Sequence, residues 1–429
     1  MTLSSPPRQV SNRFLSWQAA SHGAPLPAWP LLTLFYGLPL IWLAGLMQFA
    51  PTILSVIMVI LMIMRRRVLV HSVLWIWLAL VFWALICVVS INSASEFLGW
   101  FQRYMNLFNV GVYCLYYFNA RERVSARQMI GGLFVVWLTV VLLGFVAMAL
   151  PNLRITTPMS LIMPGSLLNN ELVRDYVMPP MAEVQKPWGV EEAYVRPSAP
   201  FPYANSWGVA YALLTPLVIG VLVSLKNRKA QLALAALLGL SLLPAVATSN
   251  RGMFIGIGAA FAYVLFRLFL KGQWKPLGLG LAVIVAAVTF LIVSGAVEKI
   301  LGRQQYSDST GGRASLYELT FEYTLRSPLV GYGTSRMADS VGVSMGTQGQ
   351  IWALMFCFGF VGLGLFLAYL LSALVYSWPI ATNSGLWIHS VVVAALAVVT
   401  FYSFDVIQLS TLMLSSIIMI RSRAYREGL

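Results

Sequence analysis

The chain has 429 residues, of which 59% are hydrophobic and only 10% are charged, and its formal net charge at pH 7 is +14. Soluble domains are about 45 to 50% apolar and about 25% charged. The composition therefore excludes a water-soluble enzyme, a disordered protein and a small disulfide-stabilised secreted domain. With a mean hydropathy of +0.79, the sequence predicts a polytopic membrane protein.

Apolar stretches long enough, or nearly long enough, to cross a bilayer recur along the chain. They lie at about residues 28–47, 50–64, 68–90, 98–119, 129–150, 204–225, 230–247, 251–270, 274–296, 350–376, 379–400 and 403–420. They predict an all-α fold with about 12 transmembrane helices. The second stretch is short and the last two are weakly separated, so eleven or thirteen spans remain open.

Lysine and arginine in short loops set the orientation of membrane helices, because these residues resist translocation. With the N-terminus inside, seventeen of the 28 lysines and arginines fall on the cytoplasmic side, together with only two acidic residues. The net charge is therefore a topology signal, and nucleic acid is not an expected partner. We expect a cytoplasmic N-terminal tail at 1–27, one transmembrane domain at 28–421 and a cytoplasmic C-terminal tail at 422–429.

This topology leaves two long segments on the outer side, at about 151–203 and 297–349, and we expect them to carry short helices. The other connections are too short to fold by themselves. Any extracytoplasmic chemistry is therefore expected in these two segments and the helix ends beneath them. The three cysteines lie in apolar runs, so no disulfide framework or metal site is indicated.

Three arginines on the predicted outer side stand at or near helix starts. Arg196 precedes the sixth span in RPSAPFPYANSWG, for which Asn205 is the predicted N-cap. Arg251 opens the eighth span in TSNRGMF, and Arg313 begins a partly amphipathic helix after SDSTGGR. A helix N-terminus carries unpaired N–H groups and the positive end of the helix dipole, and this arrangement binds anions.

Guanidinium groups bind phosphate oxygens in pairs and stay charged at any working pH. We therefore predict that Arg196, Arg251 and Arg313, with Asn205, bind a diphosphate. The alternative is that each arginine reaches lipid phosphate or pairs with a nearby acid. Those acids are Glu183, Glu191, Glu192 and Asp308.

Several smaller features have a structural reading beside a functional one. The GxG of PLVGYGTSR predicts a tight turn, and an acid near the start of the last span needs a partner or a wet cavity. The residues concerned are Gly331 and Gly333, Asp405, and the expected ion pairs Glu96–Arg103 and Glu322–Arg326.

These motifs, in their order, resemble the O-antigen ligase and Wzy-type O-antigen polymerase superfamily. The resemblance rests on R…FPYAN before a span, SNRG at the start of another, GGR…LRSPLVGYGTSR, and GQIWALMFCFGFVGLGLF. No single motif is specific, but their order and spacing together are. The match covers roughly residues 196–365, and the layout of two loops and twelve spans extends it to the whole chain.

The resemblance implies a metal-independent, inverting glycosyltransferase without a cofactor, working at the outer face of the bacterial cytoplasmic membrane. Its donor would be an undecaprenyl-diphosphate-linked glycan, and a hydroxyl of an acceptor sugar would attack the anomeric carbon. The arginines at the matching positions would hold the leaving diphosphate. A flippase and a chain-length regulator are candidate partners.

One position departs from the family pattern. The family's ligase histidine, the usual near-neutral general base, aligns with Gln348, and the following asparagine aligns with Gly349. Glutamine cannot take the proton, although Gln348 can orient an acceptor hydroxyl. A carboxylate is then the candidate base, or no strong base is needed. The candidates are Glu191, Glu192, Glu318 and Asp339.

The missing histidine favours a polymerase that joins lipid-linked repeat units over a ligase that transfers a finished glycan to another acceptor. A glycan transporter is the alternative from another class, because twelve spans with both termini inside are common among transporters. The cations gather at the outer helix ends rather than at the midplane, which favours surface chemistry. A catalytically silent scaffold for an export complex is the third possibility.

Overall fold

The computed structural model describes residues 25–185, 193–295, 297, 309–338 and 343–428. The helices in chain order are α1 Trp29–Tyr36, α2 Leu38–Leu43, α3 Ala50–Arg65, α4 Ser72–Ile86, α5 Ala94–Asn119, α6 Ala126–Ala149, α7 Pro158–Ile162, α8 Gly165–Leu168, α9 Glu171–Val177, α10 Ala204–Ser224, α11 Arg228–Leu240, α12 Leu242–Ala247, α13 Arg251–Leu270, α14 Trp274–Val293, α15 Ser309–Arg326, α16 Gln350–Tyr376, α17 Asn383–Val398 and α18 Val406–Tyr425. A short 3-10 helix, Cys87–Ser90, continues α4.

Two antiparallel strand pairs accompany these helices. They are β1 Ala182–Gln185 with β2 Tyr194–Pro197, and β3 Met337–Ala338 with β4 Val343–Ser344. Both pairs lie in the segments predicted to be outside the membrane, which also carry the short helices α7, α8, α9 and the longer α15. The prediction of a mostly helical fold is confirmed, and the strand pairs are additions to it.

Seven helical stretches are long and apolar enough to cross a membrane, which supports a multi-pass membrane protein. They are Ser72–Ser90, Ala126–Ala149, Ala204–Ser224, Arg228–Ala247, Arg251–Leu270, Trp274–Val293 and Gln350–Tyr376. Helices α3 and α17 are apolar but shorter, whereas α5 and α18 have the length but carry more polar residues. The number of twelve spans, the domain limits and the side of each terminus stay predictions.

The core lies where α10, α13 and α17 pack against one another, with α16 against α4 and α18 against α5. Helix α10 is the most enclosed of the seven candidate spans, with 72% of its apolar window buried inside the protein. In contrast, α14 makes extensive contacts with only one of the described helices, α13, and none of its apolar stretch is buried inside the protein. The bundle therefore has a central helix, α10, and its N-terminal end lies beside the cavity of the candidate site.

Helix α16 is broken at Gly359, whose φ of +68° and ψ of −174° are not helical. The segment before α16 compensates for the lost intrahelical bonds. The amides of Tyr332 and Gly333 donate to the carbonyls of Phe356 and Cys357 at 2.9 and 2.8 Å. Such breaks are tolerated at membrane depth only where other protein groups satisfy the backbone.

The PLVGYG segment fits into this break as a turn. Gly331 and Gly333 have φ of +63° and +73°, which glycine adopts without strain. A Cβ at Gly331 would overlap the carbonyl of Phe356, so the two backbones touch directly. The tight turn predicted from the GxG spacing is confirmed, and its partner is the broken helix.

Candidate functional site

A cavity of about 840 Å³ lies among the starts of α5, α10, α16 and α18. Most of the residues that line it are polar, unlike those of the apolar spans around it. The polar lining residues are Ser95, Glu96, Gln102, Arg103, Asn106, Tyr176, Tyr203, Asn205, Ser206, Thr334, Ser335, Ser344, Thr347, Gln348, Gln350, Tyr402, Ser403 and Asp405. A wet polar chamber between apolar helices is the kind of site in which membrane proteins bind polar ligands.

Side-chain bonds fix the helix starts around this cavity. The Gln350 side chain at the start of α16 accepts from the amide of Phe404 at 2.8 Å. The Gln408 side chain in α18 donates to the carbonyl of Ser206 in α10 at 2.8 Å. Several helices therefore direct their positive N-terminal ends toward one chamber, which favours an anionic ligand.

The N-terminus of α13 is tied to the same wall. Asn250 caps α13 by accepting from the amide of Met253 at 3.2 Å, and it also accepts a hydrogen bond from the Tyr402 hydroxyl. That hydroxyl accepts in turn from the amide of Gly252 at 3.2 Å. A Cβ at Gly252 would overlap the Tyr402 ring, so glycine is needed after the arginine.

These contacts hold Arg251 beside Tyr402, a residue of the cavity wall. Arg251 is partly exposed, and its guanidinium has no hydrogen-bond or ion-pair partner among the residues that the structure describes. A cation at a helix N-terminus is unfavourable unless an anion offsets it. The helix start predicted at Arg251 agrees with the structure, whereas Arg251 is not one of the residues that line the cavity, so its role there stays a prediction.

Arg196 is buried behind the cavity wall, so its guanidinium is not placed to contact a molecule in the cavity directly. It is 4% exposed and does not line the cavity. Its guanidinium donates to the Thr248 carbonyl at 2.8 Å, to Asn205 Oδ1 at 3.0 Å and to Glu183 Oε2 at 3.4 Å. It therefore holds Asn205, which does line the cavity, from behind the wall.

The predicted capping role of Asn205 is wrong. Helix α10 begins at Ala204 after Tyr203, so Asn205 lies in the first turn. The Ala204 amide donates to Glu183 Oε2 at 3.2 Å, and the carboxylate that pairs with Arg196 thereby caps the helix. The register of the strands explains this, because Glu183 lies directly opposite Arg196 across the β1–β2 pair.

Helix α15, which carries Arg313, docks against the segment that contains Gln348. The Tyr317 hydroxyl donates to the Gln348 carbonyl at 3.1 Å, and the Tyr317 ring stacks on Trp352 with centroids 4.3 Å apart. The predicted helix is confirmed as Ser309–Arg326. The Arg313 side chain lies outside the described part of the structure.

Gln348 lines the cavity and is partly exposed there, as its predicted acceptor-side role requires. Gly349 has φ of +153°, and a Cβ would overlap the carbonyl of Thr400. The family asparagine that aligns with this position would not fit this backbone. Position 349 therefore has a backbone conformation that glycine alone adopts without strain.

Of the four carboxylates predicted as bases, only Glu318 can be located. It is exposed on α15 and does not line the cavity. Glu191, Glu192 and Asp339 lie outside the described residues. The acids that the described cavity wall does contain are Glu96 and Asp405.

The expected Glu96–Arg103 pair is wrong, because both residues have other partners. Glu96 forms an ion pair with Arg336 at 3.3 Å. Arg103 donates to the hydroxyls of Thr334 at 3.3 Å and Ser335 at 3.1 Å. All hydrogen-bond partners of Arg103 in the described structure are neutral, so its charge is available to an anion in the cavity.

The expected Glu322–Arg326 pair is also wrong. The Arg326 guanidinium lies 4.4 Å from the centroid of the Tyr323 ring instead, and Glu322 is exposed. On an exposed helix face an ion pair gains little over such a contact.

Asp405 lies in the non-helical segment before α18 and faces the cavity. It stands at the N-cap position of α18, yet its side chain does not cap that helix. One oxygen, Oδ2, accepts from the Ser206 hydroxyl at 3.1 Å. Burial raises the pKa of the Asp405 carboxyl, and the Ser206 hydrogen bond and the Arg103 charge partly offset this rise.

An apolar pocket of about 420 Å³ adjoins the cavity between α3 and α5. The two share Gln102, Asn106 and Tyr176 as lining residues. The pocket also has Ile53 and Phe101, both exposed on the outer surface of the bundle. The polar cavity therefore borders an apolar cleft that opens on the outer surface of the bundle.

Among the described residues no three histidine, cysteine, aspartate or glutamate side chains are grouped as a metal site. His71 and His389 lie away from the cavity, and His389 is buried between Tyr263 and the Leu374 carbonyl. His22 is outside the described residues.

Residues 235–367 of the chain match the family model described as O-antigen ligase. The matched stretch runs from α11 into α16 and contains Arg251, Arg313 and Gln348, whereas Arg196 and Asp405 lie outside it. The resemblance to the O-antigen ligase and Wzy superfamily is thereby confirmed. A comparison with curated proteins gives no significant match.

Proposed function

We propose that this membrane protein, with its O-antigen ligase family match, polymerises undecaprenyl-diphosphate-linked repeat units into a cell-surface polysaccharide. The observation that carries the proposal is the polar cavity at the converging helix starts, near the start of α13, where Arg251 has no ion-pair or hydrogen-bond partner among the described residues. The family match supports transfer of a lipid-linked glycan. The choice of a polymerase rests on Gln348, which stands where the family's ligases have histidine.

The donor would lie across the polar cavity and the adjacent apolar cleft. Its diphosphate would sit in the polar cavity near Arg103, where helix N-termini also favour phosphate oxygens, with Arg251 and Arg313 as the further proposed ligands. Arg196 would act indirectly, because it holds Asn205 in the wall. The polyprenyl tail would leave through the apolar cleft beside Phe101, so that the lipid never leaves the bilayer.

The acceptor sugar would enter from the Gln348 side of the cavity, which α15 and the 344–350 segment cover. An acceptor hydroxyl would attack the anomeric carbon opposite the diphosphate and invert its configuration. The lysine and arginine distribution supports a position for this cavity on the outer face of the bacterial cytoplasmic membrane. No metal or cofactor has a part in this proposal.

The test is a transfer assay with the purified protein in nanodiscs, undecaprenyl-diphosphate repeat units and a chelator. We expect a ladder of longer lipid-linked glycans together with released undecaprenyl diphosphate. The Arg251→Ala variant should form no ladder. Arg326→Ala is the matched control, because that arginine also has no acidic partner among the described residues, contacts the Tyr323 ring and does not line the cavity.

The alternatives give different products in the same assay. A single transferred chain with diphosphate release would indicate a ligase. Movement of the glycan across a proteoliposome membrane, without any new glycosidic bond, would indicate a transporter. Binding of the donor with neither outcome would indicate a scaffold, and a normal ladder from Arg251→Ala would refute the proposed site.

A further inference from the structure

We propose that Asp405 is the general base of the transfer reaction, in the place of the histidine that this chain lacks. The inference rests on the proposed function and adds a catalytic residue to it. Asp405 belongs to FYSFD, a segment outside the residues that match the family model.

Asp405 differs from the other acid of the cavity wall in its partners. The Glu96 carboxylate is engaged by Arg336 at 3.3 Å and by the Asn92 amide at 2.9 Å. Asp405 has no ion pair within 4 Å among the described residues. An unpaired carboxylate inside a membrane protein is energetically costly, and such residues therefore mark candidate functional sites.

The orientation of Asp405 suits proton transfer. An aspartate before a helix normally accepts a bond from the helix amides, but this side chain turns away from α18. Oδ2 accepts from Ser206, and Oδ1 has no hydrogen-bond partner in the described structure. One oxygen is thus anchored while the other is available to a substrate hydroxyl in the cavity.

Charged and titratable groups from three other elements face Asp405. Arg103 on α5 exerts a favourable charge, whereas Tyr176 on α9 and Tyr203 before α10 interact unfavourably when ionised. Both tyrosines have raised pKa values through burial, so they stay neutral. The raised pKa of Asp405 moves this carboxylate toward the range in which general bases work best.

The proposed step forms one bond, breaks one bond and transfers one proton. The Asp405 carboxylate takes the proton of the acceptor hydroxyl while the hydroxyl oxygen forms a bond to the anomeric carbon. The bond from that carbon to the diphosphate oxygen breaks, and its electron pair leaves with the undecaprenyl diphosphate. Asp405 then returns the proton to water, and the residue is ready for another unit.

The first test compares Asp405→Asn with the wild-type protein in the nanodisc assay. The amide keeps the size of the side chain and can still accept from Ser206. We expect turnover to fall by about 10² to 10⁴, the usual contribution of a general base, while donor binding and thermal stability stay close to the wild-type values. Glu318→Gln, on the exposed face of α15, should change turnover by less than about threefold, within the range of surface substitutions.

The second test is the pH profile. The carboxylate form exists above the pKa, so wild-type turnover should rise with pH through that pKa and then level off. Ser206→Ala removes a hydrogen bond that lowers the pKa, so its rise should move to higher pH while the plateau is retained. A residue with a structural role alone would not move this profile.

The outcomes separate the base from the rest of the proposal. Turnover of Asp405→Asn within threefold of wild type, loss of donor binding in that variant, or an unmoved profile in Ser206→Ala would each overturn Asp405 as the base while the polymerase stands. A wild-type protein that forms no product overturns the proposed function and the base with it.

Discussion

The amide of Phe360 donates a 2.8 Å hydrogen bond to the carbonyl of Pro328 across the break in α16. On the other side of the break the Trp83 indole donates to the carbonyl of Phe358 at 2.9 Å. Together with the two bonds from the PLVGYG turn, these contacts replace the bonds that the break removes. They also set the direction of the first half of α16, which lines the cavity.

Replacing Gly359 with alanine should destabilise the protein by at least about 2 kcal/mol. The residue has φ of +68°, and its Cβ would overlap the carbonyl of Leu329. The measurement is thermal unfolding in detergent. Gly364→Ala is the control in the same helix, because no atom lies within 4 Å of the new Cβ; equal melting temperatures for the two variants would contradict this account of the break.

Arg196→Ala and Arg251→Ala should both reduce activity, but for different reasons. The first removes three contacts of a buried guanidinium and should cost about 2 kcal/mol or more. The second removes a partly exposed side chain without a described partner and should leave the unfolding temperature within about 2 °C of wild type, as for other surface changes. Unfolding curves measured beside the transfer assay separate the two effects, and a stable Arg196→Ala protein would argue against its supporting role.

The residues that the family resemblance implies should be tolerated by the fold at position 348 but not at position 349. Gln348→His should fold normally, because the side chain is partly exposed and its φ is not positive. Gly349→Asn should lose at least about 1 kcal/mol, since its φ is +153° and its Cβ would meet the Thr400 carbonyl. Comparable thermal stability in both variants would show that the segment adapts.

Tyr402→Phe should weaken the start of α13. It leaves the Gly252 amide and one bond of Asn250 without their partner, and such losses cost about 1 to 3 kcal/mol. Because these bonds hold Arg251 beside the cavity, the KM for the lipid-linked donor should rise as well. Tyr36→Phe removes a single bond to the Gln128 carbonyl far from the cavity and should leave the KM unchanged; a rise there too would make the effect a general one.

The starts of α13 and α16 agree with the sequence prediction because apolar runs and helix-start residues are local signals. Asn250 caps α13 within three residues of itself. The same locality makes Arg251 a candidate in the sequence, because it stands at the edge of an apolar run, where a charged residue is conspicuous. Gln348, in contrast, is a candidate only through the family resemblance.

Several of the features that sequence patterns do not show concern partners far apart in the chain. Ser206 and Asp405 are 199 positions apart, and Arg103 and Ser335 are 232 apart. No local pattern shows that Arg196 will be enclosed by a strand partner and a helix end. Asp405 was conspicuous as an acid beside an apolar run, but its place in the cavity depends on the packing of α18 against α10 and α5.

The cavity takes its wall from α5, α10, α16 and α18, and the last of these begins only at Val406. In a chain that is still being synthesised, the cation of the wall, Arg103, is made well before the carboxylate of Asp405. The chamber is thus completed only when the final helix inserts and packs. A partly inserted protein would hold an anionic lipid at most, without the group that we propose to accept the proton.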